Sequence, residues 1–383
     1  MIRVLKSLIL IVCISGITPA EAKIYNVKGL EVEIQGYLGY QYIGTTTPKP
    51  GHSLDSTPQA GVILNLKINN NWTVYNQFRY DSILQGVPVY NFIEYAPDTW
   101  HGIDFKVVAG NILHNYGLYG NRRQNPRTRP SIIEPQAIYW NILEQSLTSG
   151  LGVGVSATYK DVTIRYDVSK PRILDNRQES AAQSGQILNS IQAPFGSNRN
   201  LNIAWNPKDL PIRTNTWWTH QNDGSNINPR IPSYIKTALY ADGGFTQDIV
   251  GTGIEYSKGP ITLSAEGIIV KHFDIPWSQF IDRGNKGFSL SGIYDINDNW
   301  AVRINYNQYK SKLATVSQLA VPQIGYAKDL NFGVDYTKNS WLIRAEMHHI
   351  QGGRWVQPDS FTKDPAAFKD WWMGGISVTY FFN

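Results

Sequence analysis

Cysteine is almost absent. Cys13 is the only one in 383 residues, and it lies in the apolar stretch Leu8–Ile14 near the N-terminus. Disulfides therefore do not hold this chain together, although exported proteins in oxidising space often rely on them. Long apolar runs are also missing. After residue 22, no stretch approaches the roughly 18 apolar residues of a spanning helix. Charge is sparse at 17%, and the formal balance is only +5, too little to point to nucleic acid. There is no glycine-rich phosphate loop and no cysteine cluster.

The histidines are equally unpromising as catalysts. His52, His101, His114, His220, His272, His348 and His349 stand in no nucleophile motif. His348 and His349 are adjacent, so a strand sends them to opposite faces and they cannot chelate one ion together. His272-x-Asp274 lacks the two further ligands a zinc site needs. No enzyme activity, cofactor or metal is expected.

The N-terminus has the form of a secretory signal. Arg3 and Lys6 supply the charged region, Leu8–Ile14 the apolar region, and Ala20-Glu21-Ala22 the small-x-small cleavage site. The apolar run is too short for an anchor. Val12, ahead of Cys13, is not the small residue of a lipobox. Residues 1–22 are thus expected to be removed, and 23–383 to form one unit. Losing Arg3, Lys6 and Glu21 takes the formal charge from +5 to +4.

What the chain has in abundance is aromatic residues, with 22 Tyr, 12 Trp and 13 Phe. Rings with an apolar body and a polar tip suit membrane–water interfaces. It also has alternation. Leu30, Val32, Ile34, Leu38, Tyr40 and Tyr42 fall on one face of a strand, and Glu31, Glu33, Gln35, Tyr37 and Gln41 on the other. Similar segments follow at 59–68, 72–81, 89–95, 103–110, 151–159, 162–168, 201–206, 212–221, 248–257, 261–271, 287–295, 300–309, 330–337, 341–350 and 372–382. The segment 89–95 alternates poorly, because Glu94 shares a face with Phe92. That makes sixteen strands. Ser233–Tyr240 is assigned to a connection, since an even count puts both termini on one side.

Connections alternate between a few residues and many, which is the pattern of short periplasmic turns and long outer loops. The short turns are flanked by Trp72, Tyr159, Trp205, Tyr256, Tyr294, Trp300, Tyr336, Trp341 and Tyr380, an aromatic girdle at one latitude. Tyr42, Tyr80, Tyr166, Trp218 and Tyr306 are candidates for the opposite belt. Without spanning helices, only a closed sheet satisfies its backbone in lipid. The expected fold is all-β: a transmembrane antiparallel barrel of about sixteen strands.

The longest structureless connection carrying dense charge is 111–150, and it is expected to fold into the lumen. It contains Gly117-Leu118-Tyr119-Gly120-Asn121-Arg122 and Thr128-Arg129-Pro130-Ser131-Ile132-Ile133-Glu134-Pro135-Gln136. These two stretches resemble ones in porin-like proteins. With the signal, strand count and loop pattern, they make the chain similar to the porins of Gram-negative outer membranes. The resemblance implies an outer-membrane location among lipids and lipopolysaccharide, a homotrimer, small hydrophilic solutes, and a third outer loop that sets the narrowest point. The ending Tyr380-Phe381-Phe382-Asn383 departs from the usual terminal aromatic.

Candidate constriction residues are Arg122, Arg123, Arg127, Arg129 and Glu134. With Glu144 the loop carries a net +2 (four against two). Arginines lining a narrow bore favour anions; pointing outward, they would bind lipopolysaccharide phosphates, latch a neighbouring subunit, or pin the loop. Strand parity puts Lys67, Arg79, Asp104, Lys106, Arg165, Arg213, Arg303, Arg344 and Glu346 on the inner wall. Glu31, Glu33, Asp81, Asp167, Glu255 and Glu266 join them, so wall charges nearly cancel and the loop decides selectivity. Tyr37, Tyr75 and Trp217 also face inward. Three functions fit: a passive diffusion porin, a substrate-specific channel for an anion or organic acid, and a non-conducting surface receptor or adhesin.

Overall fold

The structure, a computed structural model, describes residues 23–27, 29–46, 57–81, 87–114, 116–120, 131–132, 149–171, 197–223, 245–273, 285–311, 326–352 and 369–382. The signal segment 1–22, the candidate strand Ser233–Tyr240, and Arg122, Arg123, Arg127, Arg129 and Glu134 lie outside these residues.

The described strands are β1 (Lys23–Val27), β2 (Leu30–Thr45), β3 (Thr57–Lys67), β4 (Trp72–Asp81), β5 (Val87–Tyr95), β6 (Ile103–Leu113), β7 (Ser149–Tyr159), β8 (Val162–Pro171), β9 (Ser197–Trp205), β10 (Ile212–Asp223), β11 (Phe245–Lys258), β12 (Ile261–Phe273), β13 (Asn285–Asp295), β14 (Trp300–Ser311), β15 (Tyr326–Lys338), β16 (Trp341–Gly352) and β17 (Trp371–Phe382). From β2 onward each pairs antiparallel with the next, and β17 pairs back onto β2 from Met373↔Thr45 to Phe382↔Gly36. The sheet is thereby a closed sixteen-strand ring.

The short β1 is an element that alternation did not reveal. It continues the line of β17 along β2, with Lys23↔Ile34 following closely on Phe382↔Gly36. Five residues are too few to show a period, and only the neighbouring edge of β2 makes them a strand. The two ends of the chain thus share one slot of the ring.

The wall is inside out relative to a soluble protein. Leu151, at 66% exposure, and Tyr42, at 59%, face outward, while Asn200 at 0% and Arg344 at 2% are buried on the lumen side. A belt of large apolar side chains on the outer surface is what hydrocarbon requires.

Strand β5 shows why its alternation reads poorly. A register shift falls at Gln77/Phe78, where β4 meets it. Phe92 and Glu94 both point into the lumen, where Phe92 stacks on Tyr75 with centroids 5.1 Å apart and Glu94 pairs with Lys106 at 3.1 Å. An inner wall lined by rings erases the polar half of the alternation.

The short turns use two local devices. In 69–72 and 297–300, an asparagine side chain accepts from the two backbone amides that reopen the next strand. Asn69 Oδ1 takes Asn71 and Trp72 N–H at 2.9 and 3.0 Å, and Asn297 Oδ1 takes Asn299 and Trp300 N–H at the same distances. The two-residue turns instead place Lys160, Gly259 and Asn339 at φ of 52°, 58° and 52°, the positive-φ first position of tight hairpins. Trp72, Trp300 and Trp341 then pack on Tyr95, Tyr336 and Tyr380 across the strand pair, at 4.6, 4.7 and 4.9 Å between centroids. Tyr159, Trp205, Tyr256 and Tyr294 lie beside the same set of turns, on the outward face.

Each asparagine turn is expected to contribute about 0.5–1.5 kcal/mol. Asn69→Ala and Asn297→Ala, far apart on the ring, should lower stability by additive amounts of that size, read from urea titration of the detergent-folded protein.

Candidate functional site: the lumen and its in-folded loop

The loop is shorter than its expected 111–150. Asn111, Ile112 and Leu113 continue β6 opposite Leu151, Gly150 and Ser149. The glycines at 150, 152 and 154 carry no side chain, so β7 shows no polar alternation to mark where pairing begins. The connection therefore spans 114–148. Its described residues are His114, Tyr116–Gly120 and Ser131–Ile132.

All of these are buried against the inner wall, and two carboxylates hold the loop by its backbone. The Leu118 N–H donates to Glu266 Oε1 on β12 at 2.6 Å, and the Ile132 N–H donates to Glu346 Oε1 on β16 at 2.7 Å. Going round the ring, β12 lies six strands from β6 one way and β16 six strands the other. The loop leaves the wall at β6 and is tied down at two places across the lumen.

The first landing is apolar as well as polar. Tyr116, Leu118 and Tyr119 bury against Trp217, Ile249, Ile268 and Val270. Inward positions 251 and 253 are glycines, and a Cβ there would come 2.1 Å from Trp217 Cζ2 and 2.8 Å from Leu118 Cγ. The missing side chains form the notch that receives the ring and the leucine. Asn202 donates to Asn215, and Asn215 donates to the Gly117 carbonyl, both at 2.6 Å. The Tyr119 hydroxyl lies 3.3 Å from Glu255 and 3.2 Å from Ser264. Burial, and then the Glu255 charge, push its pKa up.

The loop's base is pinned to β8. His114 Nε2 sits 2.7 Å from Ser169 Oγ, and Arg165 donates to the Leu113 carbonyl at 3.0 Å. His114 is fully enclosed, and its Nδ1 has no partner among the described residues. Desolvation, and then the Arg165 charge, lower its pKa to about 3, so the ring stays neutral at neutral pH.

Several of the remaining wall charges are paired. Arg213 donates to Glu255 at 2.7 Å, and Arg165 to Asp167 at 2.9 Å. Asp335 receives Arg303 Nε at 2.8 Å and Arg344 Nε at 3.0 Å. His348 lies between Asp329 at 3.0 Å and Glu346 at 3.5 Å. Arg79 stands half-buried on the inward face of β4, opposite Gly61. Asp104 accepts from the Thr99 hydroxyl. His349 faces outward to Asp370, on the opposite side of β16 from His348.

Glu266 and Glu346 are legible from strand parity as wall residues, but not as loop anchors, and the roles of Asn215, Asp329 and Asp335 emerge only in the folded ring. One signal was available in the Gly251-Thr252-Gly253 gap facing the unbroken run Ile268-Ile269-Val270. Apolar residues on both faces of a barrel strand imply cover inside as well as out.

Losing a buried charged hydrogen bond costs about 1.5–3 kcal/mol. Glu266→Ala/Glu346→Ala is therefore expected to free the loop, seen as faster proteolysis within 114–148 and new conductance substates. The His114 contribution is complete above the unfolded value of about 6.5 and erodes as pH falls toward about 3, because the unfolded chain takes up the proton first. His114→Gln should flatten the stability–pH slope in that window by up to about 1.4 kcal/mol per pH unit, one proton's worth, in urea titrations across pH.

No protein-family model and no curated protein sequence matches the chain. Solved structures do. OmpF of Salmonella typhi, in a complex with daunomycin, superposes with a TM-score of 0.62 at 12% identity, covering 94% of this chain and 100% of that one. The in-vitro folded outer membrane protein OmpT of Vibrio cholerae gives 0.61 at 10%, over 94% and 100%. The anion-selective porin of Comamonas acidovorans gives 0.54 at 8%, over 92% and 100%. The chain is all-β, a sixteen-strand closed antiparallel barrel with the fold of outer-membrane porins.

Proposed function

We propose that the mature chain is an outer-membrane porin: a water-filled channel for passive diffusion of small hydrophilic solutes, narrowed by the loop 114–148. The observation that carries this reading is the pair of backbone anchors, Leu118 on Glu266 and Ile132 on Glu346. A surface receptor has no need to tie an outer loop across its own bore. Anion preference is assigned to Arg122, Arg123, Arg127 and Arg129. Arg165, Arg213, Arg303 and Arg344 on the wall are already engaged by carboxylates, so they add little net field for a passing ion.

The signal segment and the girdle of Trp72, Tyr159, Trp205, Tyr256, Tyr294, Trp300, Tyr336, Trp341 and Tyr380 support export and insertion into the outer membrane. A homotrimer is part of the same proposal. Asn76, Asn91 and Asn111 stand in register across β4, β5 and β6; Asn76 is buried and donates to the Leu64 carbonyl at 3.4 Å, Asn111 donates to the Val89 carbonyl at 3.2 Å, and Asn91 is exposed on the outward face. An exposed amide such as Asn91 is costly against hydrocarbon and suits a face covered by another subunit. A second reading, a channel specific for ring-bearing organic anions, draws support from the Tyr75–Phe92 stack on the inner wall.

Reversal potential in a planar bilayer under a salt gradient tests the proposal. Wild type should show stable steps with anion-selective reversal, and Arg122→Ala/Arg123→Ala/Arg127→Ala/Arg129→Ala should lose that preference. Unchanged selectivity would send the arginines to the outer surface. Folded, heat-modifiable protein that forms no channels would favour a receptor. Saturation by one organic anion would favour the specific channel.

A further inference from the structure

The loop does not cover the inner wall evenly. Its described residues are anchored on β8, β10, β12 and β16, and where it lands the inward side chains Trp217, Ile249, Ile268 and Val270 are buried. On β4 and β5, by contrast, Tyr75, Tyr90 and Phe92 are only half-buried. Tyr75 and Phe92 are partners in register and lie nearly parallel, with centroids 5.1 Å apart and planes at 27°. Tyr90, at the next inward position of β5, adds a third ring 5.6 Å from Phe92. Flat apolar faces turned to a water-filled bore are the part of a wall that a solute with its own apolar face would cover.

What stands beside the rings sets the chemistry of that solute. Glu33, Asn65, Tyr75 and Phe92 are in direct register across β2, β3, β4 and β5, so the row covers about 14 Å of wall. The Glu33 carboxylate accepts from Gln35 Nε2 and Asn65 Nδ2, both at 2.9 Å, and has no ion pair among the described residues. On the other side of the rings, Glu94 accepts from Lys106 Nζ at 3.1 Å and lies 3.5 Å from the Tyr75 hydroxyl. A carboxylate oxygen holding one hydrogen bond has a lone pair left for another, and an ammonium has two further N–H donors. The wall thus offers a flat apolar platform with an acceptor at one end and an acceptor–donor pair at the other. A pyranose is the complement, with C–H groups on its faces and hydroxyls around its rim. Two carboxylates flanking the rings repel an organic anion, and Lys106 repels a cation at the Glu94 end, which leaves a neutral guest.

We infer that Tyr75, Phe92 and Glu33 form the core of a weak binding site for neutral pyranose sugars on the inner wall, with Glu94 and Lys106 at its far end. The inference rests on the channel reading above, in that the lumen is water-filled, and it names a class of solute that the wall retains.

The test is saturation-transfer NMR on the full folded protein in a sugar-free detergent. The probes are cellobiose, whose equatorial hydroxyls leave both ring faces apolar, and sorbitol, which has the hydroxyls but no ring. Cellobiose should show saturable transfer in wild type, and sorbitol none. Tyr75→Leu/Phe92→Leu keeps apolar bulk without the flat faces and should weaken cellobiose binding at least about tenfold. Tyr75→Phe should keep most of it, and Glu33→Gln should weaken it about threefold or more. In a planar bilayer, cellobiose should lower the wild-type conductance to a plateau with the same half-saturation.

Equal cellobiose binding by wild type and either the Leu or the Gln variant overturns the inference. So does equal transfer to sorbitol, which marks hydrogen bonding without stacking. Tighter binding of phenethylamine or of benzoate than of cellobiose overturns it in favour of an organic cation or an organic anion. If the Leu variant does not fold, cellobiose against sorbitol on wild type, with Glu33→Gln beside it, decides. Channels without cellobiose transfer remove this site and leave the porin reading; cellobiose transfer in a protein that forms no channels does the reverse.

Discussion

A backbone N–H or C=O at a free sheet edge has no partner unless water supplies one, and among the described residues this ring leaves no open edge. Closing the sheet removes its edges, and to close it the first and last strands of the ring must meet. β17 meets β2 along ten residue pairs, and β1 continues the same line where β17 ends. Everything else follows from closure. The outward face becomes apolar, the inward face polar, and the two ends are distinguished by the lengths of their connections.

Closure creates a second problem, a hollow interior that must be partly filled. The wall answers it with glycines and carboxylates. Gly251 and Gly253 leave room for Trp217 and Leu118, and Glu266 and Glu346 accept amides that a loop turning inside the bore would otherwise leave unsatisfied. The carboxylates thus act twice, as members of a nearly neutral wall and as anchors. Glu346 also faces His348, so the second anchor is continuous with the charge network that includes Asp329.

The outer face is not uniform around the ring. Asn76, Asn91 and Asn111 stand in register across β4, β5 and β6, with Asn91 exposed and Asn76 and Asn111 donating to the Leu64 and Val89 carbonyls, while Lys271, Lys286, Lys310 and Lys328 stand exposed on the other side.

Much of this was legible in the residues themselves. Period-two alternation marked sixteen strands, and aromatics beside short connections marked the turns, because these depend on neighbours a few residues apart. The inward and outward sets also followed, since side-chain direction is local to a strand. What the residues did not disclose depends on partners distant in the chain. β1 is a strand only because β2 lies beside it. β5 breaks its alternation only because Tyr75 and Phe92 stack inside. The loop's landing on β12 and β16, and the pairing of Arg303 and Arg344 on one aspartate, need the ring to close first. Periodicity is set by backbone geometry and is written locally. Which side chains then meet across the lumen was decided by register and curvature, which only the tertiary structure holds.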